Sequence, residues 1–159
     1  MAPACVNRIG ALARGYAGRS VLELGTSRGF VAAVMAAYGC VVTTVDMADR
    51  GAAANLEGLG IKVVVADAAR FLRRSSSKFA MIVVDFHDNS ERIWNEIWPL
   101  VSQAIEPDGT LVLYNTHLWQ MPEWREETGL RWLTGEPPQG WQTEVIPEPL
   151  PGMVICRHG

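Results

Sequence analysis

Apolar residues in this chain come in short consecutive runs, separated by longer segments in which they recur every three or four positions. The runs Ser20 to Leu24, Val41 to Asp46, Lys62 to Ala66, Ala80 to Asp85 and Thr110 to Asn115 are rich in β-branched residues and read as strands. In Val63-Val64-Val65 and Met81-Ile82-Val83-Val84 adjacent positions are apolar, rather than alternate ones. Both faces of such a sheet must be covered, which is the pattern of parallel strands.

Helices are predicted between them: Phe30 to Tyr38, closed by Gly39; about Asp49 to Leu59; Ala68 to Arg74; and about Ser90 to Ile105, with Asp88 as its cap. In the last of these Ile93, Ile97, Leu100, Val101 and Ala104 share a face, and Pro99 should bend it. Val6, Ile9, Ala13 and Tyr16 suggest one helix before the first strand. After the fifth strand Pro122 opens a helix through Trp132 that Gly135 ends. The extended runs Trp141 to Ile146 and Met153 to Arg157 then flank Pro147 to Gly152, a turn short enough to permit only antiparallel pairing. Alternating strands and helices predict an α/β fold with a mostly parallel sheet.

With 159 residues the chain has the size of one domain, and 48% hydrophobic against 19% charged residues fits a packed core rather than a disordered chain. A net charge of -3 gives no positive field for a nucleic acid, so none is expected as partner. Arg70, Arg73 and Arg74 cluster, with Lys78 beyond, and read as a solvated helix face. Cys5, Cys40 and Cys156 are odd in number and lack paired spacing, so reduced, mostly buried thiols are expected. No stretch could span a bilayer and no basic leader precedes an apolar run, so a cytoplasmic protein with no membrane partner is expected.

The polar residues that packing does not explain follow the strands: the loop at Gly25, then Asp46, Asp67, the cluster Asp85 to Asp88, and Asn115 to His117. In an open parallel sheet these positions share the carboxyl edge, where ligands bind. Gly25-Thr26-Ser27-Arg28-Gly29 joins the first strand to a helix, so amide groups at the helix start face the loop and suit a carboxylate or phosphate. Asp46, about 20 residues on, stands where an acidic side chain accepts both hydroxyls of a ribose. A nicotinamide dinucleotide would want G-x-G-x-x-G, and Ser27 replaces the second glycine.

Val-Leu-Glu-Leu-Gly-Thr-Ser-Arg-Gly-Phe resembles the first motif of class I S-adenosylmethionine methyltransferases, in particular the catechol and caffeoyl-coenzyme A O-methyltransferase group. The resemblance covers residues 20 to 119 and extends to Asp85, Pro107-Asp108-Gly109 and Tyr114 to Trp119. It implies a Rossmann-like, seven-stranded sheet whose last two strands are the antiparallel pair, with S-adenosylmethionine as cofactor. It also implies a cofactor site of Glu23, Gly25, Thr26, Ser27, Gly29, Asp46, Asp67, Ala68 and Asp85. There Glu23 helps hold the methionine end, Asp46 the ribose, and Asp67 or Ala68 borders the adenine.

The chain departs from that group at several positions. Magnesium in its metal-dependent members is held by an Asp after the fourth strand, matched by Asp85, and an Asp-Asn pair, matched here by Asn115-Thr116. One carboxylate fewer weakens such a site, so no metal is expected. A lysine base of some members falls at Asp88, and a serine for the methionine carboxylate at Val31, where Thr26 or Ser27 could substitute. His87 and His117, the neutral-pH bases on the carboxyl edge, become the candidate catalysts with Asp85, while His158 at the chain end is expected to fray. Only about 19 residues precede the first strand, where family members carry a longer cap, so either the substrate site is open or a partner subunit closes it. A homodimer is the expected assembly. Most of the six tryptophans, all after residue 90, read as core, with Trp119 the candidate substrate wall.

These readings converge on methyl transfer to an oxygen, less readily a nitrogen, of a small molecule. The rivals are a non-catalytic cofactor-binding or scaffold domain and a nucleotide-dependent oxidoreductase, the latter disfavoured by the glycine spacing.

Overall fold

The structure, a computed structural model, describes residues 3–85, 91–114, 139–146 and 153–158. Five strands alternate with helices: α1 (Pro3–Arg14), β1 (Ser20–Leu24), α2 (Phe30–Ala37), β2 (Val41–Asp46), α3 (Ala52–Asn55), β3 (Lys62–Val65), α4 (Ala68–Arg74), β4 (Phe79–Val84), α5 (Glu91–Ala104) and β5 (Ile105–Tyr114). Two further strands, β6 (Trp141–Ile146) and β7 (Met153–His158), complete a seven-stranded sheet of order β3-β2-β1-β4-β5-β7-β6. Strands β1 to β5 are parallel, and β7 runs antiparallel to both β5 and β6.

The consecutive apolar runs are explained by what each face meets. Leu22, Leu24, Ile82, Val84, Leu111 and Leu113 point to one side, where Leu72 of α4 and Ile97, Val101 and Ala104 of α5 cover them. Their neighbours Val21, Met81, Val83 and Val112 point to the other, against Ile9 and Ala13 of α1 and Val31, Ala32 and Met35 of α2. Side chains alternate across a strand, so a strand with two buried faces has no polar position to spare. β4 is buried along its whole length.

Several elements differ from expectation. The second predicted helix shrinks from Asp49–Leu59 to α3, because Gly51 and Gly58, both inside the predicted span, take left-handed φ of 94° and 77° that a helix cannot continue through. Tyr16 lies beyond the end of α1, and its hydroxyl meets that of Thr110 at 2.6 Å. β5 begins at Ile105, directly after α5, because Ile105 pairs with Phe79 before Thr110 resumes pairing with Met81. The intervening Glu106 to Gly109 bulge outward, and Asp108 accepts from Arg19 Nη1 and Nη2 at 3.2 and 3.1 Å, while Glu106 also pairs with Arg19. Those carboxylates hold Arg19 above its ordinary pKa, and Arg19 in turn lowers Asp108. His158, expected to fray, closes β7 and lies with its ring 4.0 Å from that of Trp141.

Cys40 and Cys156 are free and buried, Trp141 is buried, and exposed Arg73 pairs with Glu96 at 2.6 Å on the solvated face of α4. Among the described residues no helix is long and apolar enough to cross a membrane. The predicted helix from Pro122 to Trp132, the turn Pro147 to Gly152 and the Asp88 cap lie outside the described residues.

The bulge leaves no room at Gly109: a β-carbon there would sit 2.6 Å from Ile105 Cγ1 and 2.9 Å from the Glu106 carbonyl oxygen. Gly109→Ala should therefore cost about 1–3 kcal/mol in urea denaturation, the usual scale of overpacking. An unchanged midpoint would show that the bulge shifts freely.

Candidate functional site at the switch point of the sheet

β1 lies between β2, which continues the winding to one edge, and β4, which starts it toward the other. A crevice opens at the carboxyl ends of such a pair, because the connections leave them in opposite directions. Gly25 is the first residue beyond β1. Its N–H donates to the Val45 carbonyl and the Asp85 N–H donates to that of Leu24, both at 2.8 Å, so the loop starts anchored to both neighbouring strands. Gly25 has φ 103°, and a β-carbon on it would overlap the Asp85 carbonyl oxygen. Only glycine fits there.

The loop is then pinned from the side. Ser27 takes a left-handed φ of 50°, uncommon without glycine, and its N–H donates to Asp46 Oδ2 at 2.9 Å. The other oxygen of Asp46 accepts from Ala48 N–H at 3.2 Å, so this carboxylate both ends β2 and orders the loop. Asn55 Nδ2 of α3 donates to the Arg28 carbonyl at 3.0 Å. Gly29, with φ 88°, begins α2 without any side-chain cap, and a β-carbon there would press to 2.7 Å on Leu56 Cγ. An uncapped helix start leaves amide donors for another acceptor.

Under the loop lies a buried polar chain. Glu23 shares the face of Val21, is 1% exposed, and pairs in register with Thr44 of β2. Thr44 Oγ1 donates to Glu23 Oε2 at 2.5 Å, and the hydroxyls of Thr44 and Thr26 meet at 2.6 Å. Burial pushes the Glu23 carboxyl up to about 8; the hydrogen bond from Thr44 opposes this, and the charges of Asp85 and Asp46 add to it. Thr44 escapes a reading of the sequence alone, although a threonine at a fully buried position of an apolar strand is a signal once β1 and β2 are aligned.

Glu23, Gly25, Thr26, Ser27, Gly29 and Asp46 therefore meet in one place, with the backbone of Asp85 against Gly25. Asp67 and Ala68 stand one strand further out, next to Asp46 through an Ala66 N–H that donates to the Asp46 carbonyl at 2.8 Å. Asp67 caps α4 by accepting from Arg70 N–H at 2.8 Å, and Ala68 is buried at the start of that helix. His87, Asp88, Asn115, Thr116, His117 and Trp119 lie outside the described residues.

No protein-family model and no curated protein matches the sequence. Solved structures do match the fold. The O-methyltransferase TomG of Streptomyces achromogenes, in complex with S-adenosylmethionine, superposes with TM-score 0.77 at 18% identity over 99% of this chain and 81% of its own. The Podospora anserina methyltransferase PaMTH1, bound to S-adenosylhomocysteine, gives 0.81 at 13% identity over 100% and 80%. An O-methyltransferase of Bacillus cereus with S-adenosylhomocysteine gives 0.76 at 14% over 100% and 82%. The fold is that of the class I methyltransferases. The methyltransferase sheet accounts for both the strand order and the antiparallel pair at its end.

The buried Glu23 makes stability depend on pH in a defined sense. Its carboxyl rises from an ordinary 4.5 to about 8 on folding, so between these values the folded chain holds a proton that the unfolded chain has lost. Stability is then lost as pH climbs through that window, by a few kcal/mol at most. Glu23→Gln should flatten this slope in urea denaturation between pH 5 and pH 8. Parallel curves for the two proteins would show that Glu23 does not carry it.

Proposed function

We propose that the chain binds S-adenosylmethionine at the Glu23 to Gly29 loop and catalyses methyl transfer to an oxygen, less readily a nitrogen, of a small molecule. The observation that carries the reading is the loop at the switch point: Gly25 lacks room for a side chain, α2 starts uncapped, and Asp46 borders both. The donor set fits such a cofactor. Uncapped amides suit the carboxylate of its amino-acid end, and an acidic side chain at the end of β2 suits ribose hydroxyls. That structures with this fold hold S-adenosylmethionine or its product adds support.

When bound, the cofactor supplies a methyl group already activated on a sulfonium. The protein's work is then to bind, orient and manage one proton. Gly25 and Gly29 would let the backbone approach, and Asp46, which keeps Ser27 in place, would accept from the ribose. Glu23 would help hold the amino-acid end, and Asp67 and Ala68 would border the adenine. A hydroxyl acceptor with pKa near 10 must lose its proton, and His117 or His87 would take it, oriented by Asp85. The acceptor side would be open or closed by a second copy of the chain in a homodimer.

S-adenosylhomocysteine should raise the melting temperature. Asp46→Ala should weaken its binding by about 1.5–3 kcal/mol, since a carboxylate hydrogen-bonded to the ligand is lost and Ser27 is released. The absence of any shift in the wild-type protein at saturating ligand would sink the reading. Once an acceptor is found, turnover should survive EDTA and fall by roughly a hundredfold or more in His117→Ala or His87→Ala. Loss of activity in EDTA that magnesium restores would return the site to the metal-dependent pattern. Binding without turnover on any acceptor would favour a non-catalytic cofactor-binding domain.

A further inference from the structure

Carboxyl groups stand at the ends of three adjacent strands: Glu23 on β1, Asp46 just across on β2, and Asp85 after β4. Glu23 differs from the other two in being enclosed, and in being joined to the loop by two hydroxyls, those of Thr44 at 2.5 Å and, next in line, Thr26. Hydroxyl chemistry gives this chain a direction. With Glu23 ionised, Thr44 gives its proton to the carboxylate and takes that of Thr26. With Glu23 protonated, the order can reverse, and the proton of Thr26 turns toward the loop.

No described cation offsets the carboxyl. The charges that bear on it are those of Asp85 and Asp46, both of its own sign. Its register partners on β2 and β4 are Thr44 and Val83. On the same face α2 carries no titratable side chain, and the arginines of α1, Arg8 and Arg14, are exposed.

We propose that a ligand carrying an ammonium group, on entering the glycine loop, expels a proton from Glu23 to solvent, so that occupancy of the site is coupled to pH through the chain Glu23, Thr44, Thr26. This rests on the reading that the loop takes the amino-acid end of S-adenosylmethionine. Burial keeps the carboxyl of the empty site largely protonated at neutral pH, with a pKa of about 8. A nearby positive charge favours the ionised form, whereas a neutral ligand only deepens the burial.

Titration calorimetry on the full chain tests this, with S-adenosylhomocysteine as probe in phosphate and in Tris, whose differing heats of ionisation reveal protons exchanged. Close to one proton should leave per site at pH 7, and about half of one at pH 8. The dissociation constant should tighten about tenfold from pH 6 to pH 7. 5′-Methylthioadenosine, which has the adenosine and thioether but no amino-acid end, should bind without release. Glu23→Gln should bind S-adenosylhomocysteine with no proton released. Thr44→Val keeps the carboxyl but removes its donor, so release should persist to higher pH, and this variant decides the matter if Glu23→Gln does not fold. Binding by the wild-type protein without proton release, equal release in Glu23→Gln, or an unchanged pH profile in Thr44→Val overturns the coupling alone. A wild-type protein that binds neither probe overturns the proposed function with it.

Discussion

The contact between Gly25 and the carbonyl of Asp85 is the constraint on which the rest of the carboxyl edge depends. β1 and β4 stay paired to their last residues, Leu24 with Val84, and the space where a side chain at position 25 would stand is filled by backbone. The chain can turn there only because nothing projects from it. That turn sends α2 across one face of the sheet, and it sets Thr26 and Ser27 against the end of β2, within reach of Thr44 and Asp46. Loop and helix start thus follow from one close approach, and the acidic side chain at the end of β2 meets them there.

Double coverage of the sheet supplies the second constraint. Every inward position of β1 is buried, so the glutamate at position 23 is buried as well. An ionised carboxyl in that setting is costly, and burial keeps it protonated up to about pH 8. A core built only for stability would place an aliphatic residue opposite Thr44. A group whose charge responds near neutral pH directly below a glycine loop at the switch point is the kind of compromise found at functional sites.

The opposite edge of the sheet is polar for another reason. Arg19 ties the start of β1 to Glu106 and Asp108 in the bulge of β5, and Tyr16 ties the segment after α1 to Thr110. These contacts set the frame rather than the chemistry. Exposed ion pairs contribute little to stability by themselves, and the register of β5 on β4 rests on the strand pairing on either side of the bulge.

Periodicity along the chain sufficed for the strands, their parallel order, the antiparallel terminal pair and the glycine loop, because these depend on local patterns: consecutive apolar residues, a glycine-bounded turn, an Asp at a strand end. The candidate positions Gly25, Gly29 and Asp46 were legible for the same reason, being marked by a glycine-bounded turn and a strand end, whereas Glu23, Thr26 and Ser27 became candidates through the resemblance of the motif around them. The length of α3, the early start of β5 and the order of His158 were not legible, since left-handed glycines, a bulge and a ring contact with Trp141 decide them. Nor was Thr44, whose role exists only through the register that sets it opposite Glu23. Sequence determined which residues stand at the carboxyl edge. Tertiary structure decided which of them touch, and that the Glu23 carboxyl is raised by its surroundings, because burial and register are properties of neighbours that lie far apart along the chain.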